Sequence, residues 1–364
     1  MTHLFEPLKL RDVVLCNRIG IPPMCQYSAS DGMAANWHYV HYGSRAVGGA
    51  ALMIIEATAV TPEGRISPGD LGLWEDKQIE PLARIAQFSQ EQGCVPAAQL
   101  AHAGRKGSAA RGWQEQRTLD PSEGGWTTVA PSALSFGAGY AVPRELDQTG
   151  IREVVAQFAA AAERAREAGF QLVEIHAAHG YLLHQFLSPL SNRRTDGYGG
   201  SFDNRTRLVR EVVAAVRAKW PERLPLLIRL SATDWVDGGW NVKETVALCR
   251  TLKGLGVDLV DVSSAGLVPT ARIPAGPGFQ TDFAARIRNE AGVATSAVGL
   301  ITSPAQADHI VRTGQADMVL LGREILRNPY WPLSAAQALG QTVTWPQQYL
   351  RAAPQGSTAR TCTA

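Results

Sequence analysis

The chain has 364 residues, 45% of them hydrophobic, enough for one large domain or two ordinary ones. Its 35 basic and 33 acidic residues leave a formal net charge of +2, which argues against a nucleic-acid footprint and against a polybasic membrane surface. No apolar run reaches the roughly 18 residues of a membrane span, and Met1-Thr2-His3-Leu4-Phe5-Glu6-Pro7 lacks the basic and apolar regions of a signal peptide.

Short apolar runs at 19–25, 51–57, 95–101, 172–177, 226–230, 259–263, 294–298 and 318–322 read as strands. They lack alternation, so both faces are expected to be buried, as in a parallel sheet. Helical patterns lie between most of them. The pattern at 78–92 ends before Gly93, 151–168 stops at Gly169, and 205–219 stops at Trp220-Pro221. The pattern at 242–255 stops at Gly256, 281–291 at Gly292, and 304–313 opens on Pro304 and closes at Gly314. Eight such units predict an α/β fold of the (β/α)8 TIM-barrel type. A doubly wound open sheet is the weaker alternative, because no Gly-rich fingerprint follows the first strand.

Two loops are long: 103–148, an insertion after the third strand, and 180–204. Both fall at the C-terminal ends of strands, where barrel active sites lie. A plain surface excursion accounts equally well for most of the first. Residues 1–351 are expected to form one domain, and 352–364 a flexible tail. The cysteines at 16, 25, 94, 249 and 362 have no CxxC spacing. They suggest neither a disulfide framework nor a metal centre, and a reducing cytoplasm is the simplest home.

Function is sought in the residues that end each strand. The first run ends Pro22-Pro23-Met24-Cys25-Gln26-Tyr27. Its two prolines block ladder bonding and put irregular backbone at the barrel mouth. Met24 and Cys25 are soft enough to lie against a planar ring, and Tyr27 offers a hydroxyl. Ala57 leaves room above the second strand. Gln99, near the end of the third, carries both donor and acceptor and can read a cyclic imide edge. Arg229, near the end of an apolar strand, is costly unless it meets an anion or ligand.

The fourth strand ends His176-Ala177-Ala178-His179-Gly180-Tyr181. On a continuous strand His176 and His179 would face opposite ways. They converge only if the strand breaks near Ala178, which Gly180 permits. A convergent pair could bind a metal, though no third ligand is evident, or donate two hydrogen bonds to one oxygen. Tyr181 adds a phenolic proton. Gly299 and Gly322-Arg323 follow the last two strands, where barrels commonly hold phosphate.

At these residues the chain closely resembles the Old Yellow Enzyme family, and within it the bacterial xenobiotic reductases or thermophilic-like ene-reductases. The match runs from Leu4-Phe5-Glu6-Pro7 to Gln348-Tyr349. It is most specific from His176 to Tyr181, through Ser191-Asn192-Arg193-Arg194-Thr195-Asp196-Gly197-Tyr198-Gly199-Gly200-Ser201, to Asn204-Arg205. The resemblance implies noncovalent FMN, with NADPH or NADH as reductant and an activated alkene as substrate. Pro22, Pro23, Met24, Cys25, Ala57 and Gln99 would line the flavin ring, and Arg229 would face its N1/O2 side. Gly299, Gly322 and Arg323 would hold the phosphate. His176 and His179 would bind the substrate oxygen, Tyr181 would donate a proton and Tyr27 would touch substrate. It further implies a homodimer or homotetramer in which a C-terminal arginine, here Arg351, reaches a neighbour's site. No metal, nucleic acid or membrane partner is expected. Larger dienoyl-CoA-type reductases need a cysteine cluster that this chain lacks. A metal-dependent barrel with the histidine pair as ligands would hold metal and be colourless, and a non-catalytic flavin store would be coloured without turnover.

Overall fold

The computed structural model describes residues 2–360. Eight parallel strands close into a barrel: β1 (Ile19–Ile21), β2 (Leu52–Ala59), β3 (Val95–Ala101), β4 (Leu172–Ala177), β5 (Leu226–Ser231), β6 (Leu259–Ser263), β7 (Ala294–Ala297) and β8 (Met318–Leu320). Each pairs with the next in sequence, and β8 returns to β1 through Val319 opposite Ile19. Every residue of β2 to β6 is buried. The strands are covered on both sides, which is why their sequences run apolar without alternation.

The strands at 95–101, 172–177 and 259–263 have the bounds expected of them. β1 instead ends at Ile21, because Pro22 and Pro23 carry no N–H for the ladder. β2 runs on to Ala59 across a register shift between Ile55 and Thr58, and this irregularity carries Glu56 and Ala57.

The crossover helices are α1 (Asn36–Val47), α2 (Ile79–Glu91), α3 (Gln148–Glu167), the α4–α6 series (Leu182–Leu187, Phe202–Arg205, Arg207–Lys219), α7 (Val242–Gly254), α8 (Thr281–Ala291) and α9 (Pro304–Arg312). Two more, α10 (Arg323–Arg327) and α11 (Trp331–Ala338), follow β8. The pattern at 205–219 is broken at Thr206. α1 has no counterpart among the helical patterns of the sequence. It is preceded by Ala35, which offers no capping oxygen, and the Ala35 N–H is met instead by His38 Nδ1 at 3.0 Å.

An antiparallel hairpin, Leu8–Leu10 with Val13–Leu15, precedes the barrel. The 103–148 segment is mostly irregular, with short turns at Gly104–Lys106 and Pro121–Glu123. The C-terminal segment departs from the disorder expected after Ala352. Trp345 bridges to Ala359, and the Arg360 guanidinium donates to Ala46 O at 3.3 Å and Gln92 O at 2.6 Å. Cys362 lies outside the described residues. No helix among the described residues is long and apolar enough to cross a membrane.

Candidate active site

The decisive local event follows β4. After Ala178 the chain takes two left-handed residues, His179 (φ 58°) and Gly180 (φ 73°). The strand's alternation is lost, and the rings meet. The His176 and His179 centroids are 5.3 Å apart at 87°, and Tyr181 lies 5.0 Å from His176 at 78°.

Contacts both near and distant in the chain hold this turn. The His179 N–H donates to Ser231 Oγ at 2.9 Å, and the Gly180 N–H to His184 Nδ1 at 2.9 Å. His184 Nε2 stands 2.9 Å from Asp234 Oδ1, with both side chains fully buried. Burial opposes ionisation of Asp234, yet His184 and the hydrogen bonds to its carboxylate hold it below the usual range. A Cβ on Gly180 would sit 2.1 Å from Gly266 O, so only glycine fits between the two backbones.

A backbone hydrogen bond also sets the tautomer of His176. His176 Nδ1 accepts from the Ala178 N–H at 3.3 Å, so the proton resides on Nε2, a donor. His179 Nε2 is 2.7 Å from Ser263 Oγ. Burial, and next the charge of Arg229, hold both imidazoles well below 6.5, so both are neutral at physiological pH. Burial, above all, pushes the Tyr181 phenol well above 10, so it keeps its proton.

Strand register places the polar groups inside the barrel. His176 is opposite Arg229, Arg229 opposite Asp261, and Asp261 opposite Ser296. Arg229, only 6% exposed, has Nε 2.9 Å from Asp261 Oδ2, and Ser296 Oγ donates to Asp261 Oδ1 at 3.0 Å. Gln99 is opposite Glu174 and donates to its Oε1 at 2.7 Å. Burial, and then Asp261, push Glu174 well above the usual carboxyl range. Arg229 is thus charge-matched before any ligand enters. What remains to it is its donors.

The β1 end is anchored from behind. The Gln26 N–H donates to the buried Glu56 Oε2 at 2.7 Å, and Glu56 Oε1 lies 3.2 Å from His38 Nε2. Tyr42 OH accepts from the Glu56 N–H at 2.8 Å. The backbone at Tyr27 is left-handed (φ 51°). Cys25, Tyr27 and Tyr181 gather around Ala57, Ile66, Ala101 and Ala103. Trp113 meets the Tyr27 ring edge-on at 5.7 Å. Burial, and next Asp70, push the Cys25 thiol well above its usual range, so it is a neutral thiol rather than a nucleophilic thiolate.

Beyond β7 and β8, Gly299, Gly322 and Arg323 line one cavity of about 200 Å³. Gly299 takes φ 128°, and a Cβ there would meet Phe279 at 2.9 Å. Among the described residues, the backbone N–H groups of Gly299, Leu300, Gly322 and Arg323 have no protein acceptor. Such a concave set of free donors beside a guanidinium suits an anion. A Cβ on Gly322 would come within 3.9 Å of Pro22 and 4.0 Å of Met24, so this cradle adjoins the β1 end.

Arg351 stands apart from this assembly. It is exposed on the turn Gln347–Ala352 and forms none of the ion pairs of the mouth. Sequence reasoning passed over His184, Asp234, Glu56 and His38. Glu56 carries the signal that singled out Arg229, a charge within an apolar strand, and so do Glu174 and Asp261. His184 and Asp234 sit among ordinary helix and loop residues and give no such signal.

An anion cradle adjoining a row of buried hydrogen-bonding groups defines a barrel for a phosphorylated, planar cofactor. Among the described residues no three His, Cys, Asp or Glu side chains are grouped to hold a metal ion. Residues 3–341 match the NADH:flavin oxidoreductase / NADH oxidase family, and the chain belongs to that family. It is 48% identical over 352 residues to an NADPH dehydrogenase from Geobacillus sp. (strain WCH70), covering 96% of this chain and 98% of that one. Two solved structures share the fold. The old yellow enzyme homologue from Zymomonas mobilis is 26% identical with a TM-score of 0.78, covering 94% of both chains. Morphinone reductase is 28% identical with a TM-score of 0.77, covering 93% of this chain and 90% of that one. The protein is therefore an oxidoreductase of Old Yellow Enzyme type that uses FMN and NAD(P)H. The residues fit that cofactor: the cradle answers a phosphate, the Gln99 amide a cyclic imide, and Met24, Cys25 and Ala57 a flat face.

Proposed function

We propose that the protein is an ene-reductase, which reduces the activated double bond of α,β-unsaturated carbonyl or nitro compounds at the expense of NADPH or NADH. One observation carries this reading: two neutral imidazoles and a protonated phenol meet at a single strained turn of the barrel mouth. When bound, FMN would supply the hydride chemistry that couples nicotinamide oxidation to alkene reduction. Gly299, Gly322 and Arg323 would hold its phosphate, Pro22, Pro23, Met24, Cys25, Ala57 and Gln99 would border its ring, and Arg229 would donate to it.

His176, through Nε2–H, and His179 donate to the substrate's carbonyl or nitro oxygen. Negative charge grows on that oxygen as the double bond is reduced, so these donors bind the transition state more tightly than the ground state. One donor to such an oxygen is worth about 3–4 kcal/mol. Tyr181 gives a proton to the α-carbon, and Tyr27 touches the substrate. The enzyme works in the cytoplasm as a homodimer or homotetramer, in which Arg351 of one subunit reaches the site of another.

The test begins with colour. The purified protein shows a flavin spectrum, NADPH bleaches it without oxygen, and cyclohexenone, maleimide or a nitroalkene restores it. A colourless protein that refuses added FMN refutes the reading. Recolouring by oxygen but by no alkene leaves an NADPH dehydrogenase without ene-reduction.

Two variants follow from the same reading. Tyr181→Phe loses rate only in the oxidative half-reaction, by about 10²-fold or more where the product carbanion is basic, within the range of general-acid effects. Stopped-flow traces equal to wild type for every alkene would remove Tyr181 from the role. Cys25→Ser shifts the flavin midpoint potential while retaining FMN. A spectroelectrochemical titration without a shift would leave Cys25 as a packing residue.

A further inference from the structure

Lys106 ends the short turn Gly104–Lys106 after β3. Its Nζ donates to His179 O at 2.9 Å and to Gly266 O at 3.0 Å. One ammonium therefore joins the turn after β4 to the turn after β6. Both turns are strained, with left-handed backbone at His179, Gly180, Ala265 and Gly266. The same ammonium lies 5.0 Å from the centroid of the Tyr181 ring and 4.6 Å from that of Phe136. It takes part in no ion pair with a carboxylate among the described residues, so its charge is directed to carbonyl oxygens and ring faces.

We propose that Lys106 is a positioning residue for proton delivery: it staples the histidine turn to the loop after β6 and, against the face of Tyr181, favours the phenol's release of its proton. This rests on the ene-reductase reading above. In the step concerned, the O–H bond of Tyr181 breaks and a C–H bond forms at the α-carbon, using the electron pair of the enolate. The phenolate then takes a proton from water. A cation over the ring is attracted more strongly as that ring becomes negative, which lowers the cost of the transfer.

The charged and titratable groups around Lys106 separate in pH. Burial, and next Arg105 on its own turn, pull the Lys106 ammonium down to about 8. Arg105 itself is lowered by burial to about 10. From the β4 turn, His176 and His179 are neutral and Tyr181 stays protonated. From the loop after β2, the buried Asp70 near Tyr181 is raised to about 7, chiefly by burial. Behind the histidines stand Arg229 and His184. Lys106 is thus cationic below about pH 8 and neutral above it, and the staple weakens as pH rises through that value.

The experiment measures reoxidation of the NADPH-reduced holoenzyme by cyclohexenone across that range, together with amide hydrogen exchange of residues 178–181. Wild type is expected to lose about tenfold in rate as pH rises through about 8. Lys106→Met is expected to be about ten- to a hundredfold slow at every pH, the range of one lost charge-assisted hydrogen bond, with faster exchange in the turn. Lys106→Arg restores most of that loss and abolishes the alkaline fall, since arginine keeps its charge. A wild-type rate flat through pH 8, an alkaline fall unchanged in Lys106→Arg, or wild-type rate and exchange in Lys106→Met would each overturn the proposal. If wild type reduces no alkene, the ene-reductase reading fails. The exchange data then judge the staple alone, and wild-type exchange in Lys106→Met refutes it.

Discussion

His176→Ala is expected to lower kcat/KM for a cyclic enone by about 10²–10³, the cost of removing one donor from a developing oxyanion. Reduction of the flavin by NADPH should change much less, by about fivefold at most, because the role proposed for the imidazole is toward the oxygen of the oxidative substrate. The geometry makes this strong. His176 Nδ1 is occupied by the Ala178 N–H, so Nε2–H is free to donate, and burial keeps the ring neutral. A neutral donor does not change character as pH rises from neutrality. His179→Ala should cost a similar factor, and the double variant less than the product of the two, since both act on one oxygen. Stopped-flow measurement of each half-reaction checks this. Equal losses in both halves would contradict the assignment.

Gly180→Ala is expected to be the most damaging single methyl in the mouth. The added Cβ would stand 2.1 Å from Gly266 O, a backbone atom that no rotamer change can move aside. The residue must also hold φ 73°, which costs a non-glycine residue about 1–3 kcal/mol by itself. Relieving the clash separates the two turns and carries His179 and Tyr181 out of place. We expect about 3 kcal/mol or more of lost stability and a loss of enone turnover larger than that of flavin reduction. Gly254→Ala is the control: it is helical and a Cβ there meets nothing within 4 Å. A Gly180→Ala protein as stable in urea as the Gly254→Ala protein, with unchanged enone kinetics, would refute the argument.

The contrast between Arg229 and the histidine pair marks what could be read without coordinates. Arg229 stood out because a guanidinium in an apolar strand is costly wherever it lies, and the structure meets that cost with Asp261 on the next strand. Glu56, Glu174 and Asp261 carried the same signal, but their partners lie on other strands or, for Glu56, on α1 and the loop after β1, and no spacing reveals them. The histidines are three residues apart, a separation that on a regular strand points them to opposite faces. Their convergence depends on Ser231, Asp234 and Gly266, all far along the chain, with His184 linking Asp234 to the turn. α1 was hidden for a related reason: its first N–H groups lack a capping side chain at Ala35.

The sequence by itself determined the barrel, its order of strands and the chemical type of each strand end. These follow from local burial patterns, helix stop signals and the cost of placing a polar residue in an apolar run. Only the tertiary structure decided which groups meet, which nitrogen of His176 carries the proton, and that Lys106 bridges two turns. Those depend on register between strands, on backbone bent through the left-handed region, and on desolvation. Even the bond from the Ala178 N–H that sets the His176 proton forms only because the backbone turns there, and that turn is held by residues brought together across the barrel.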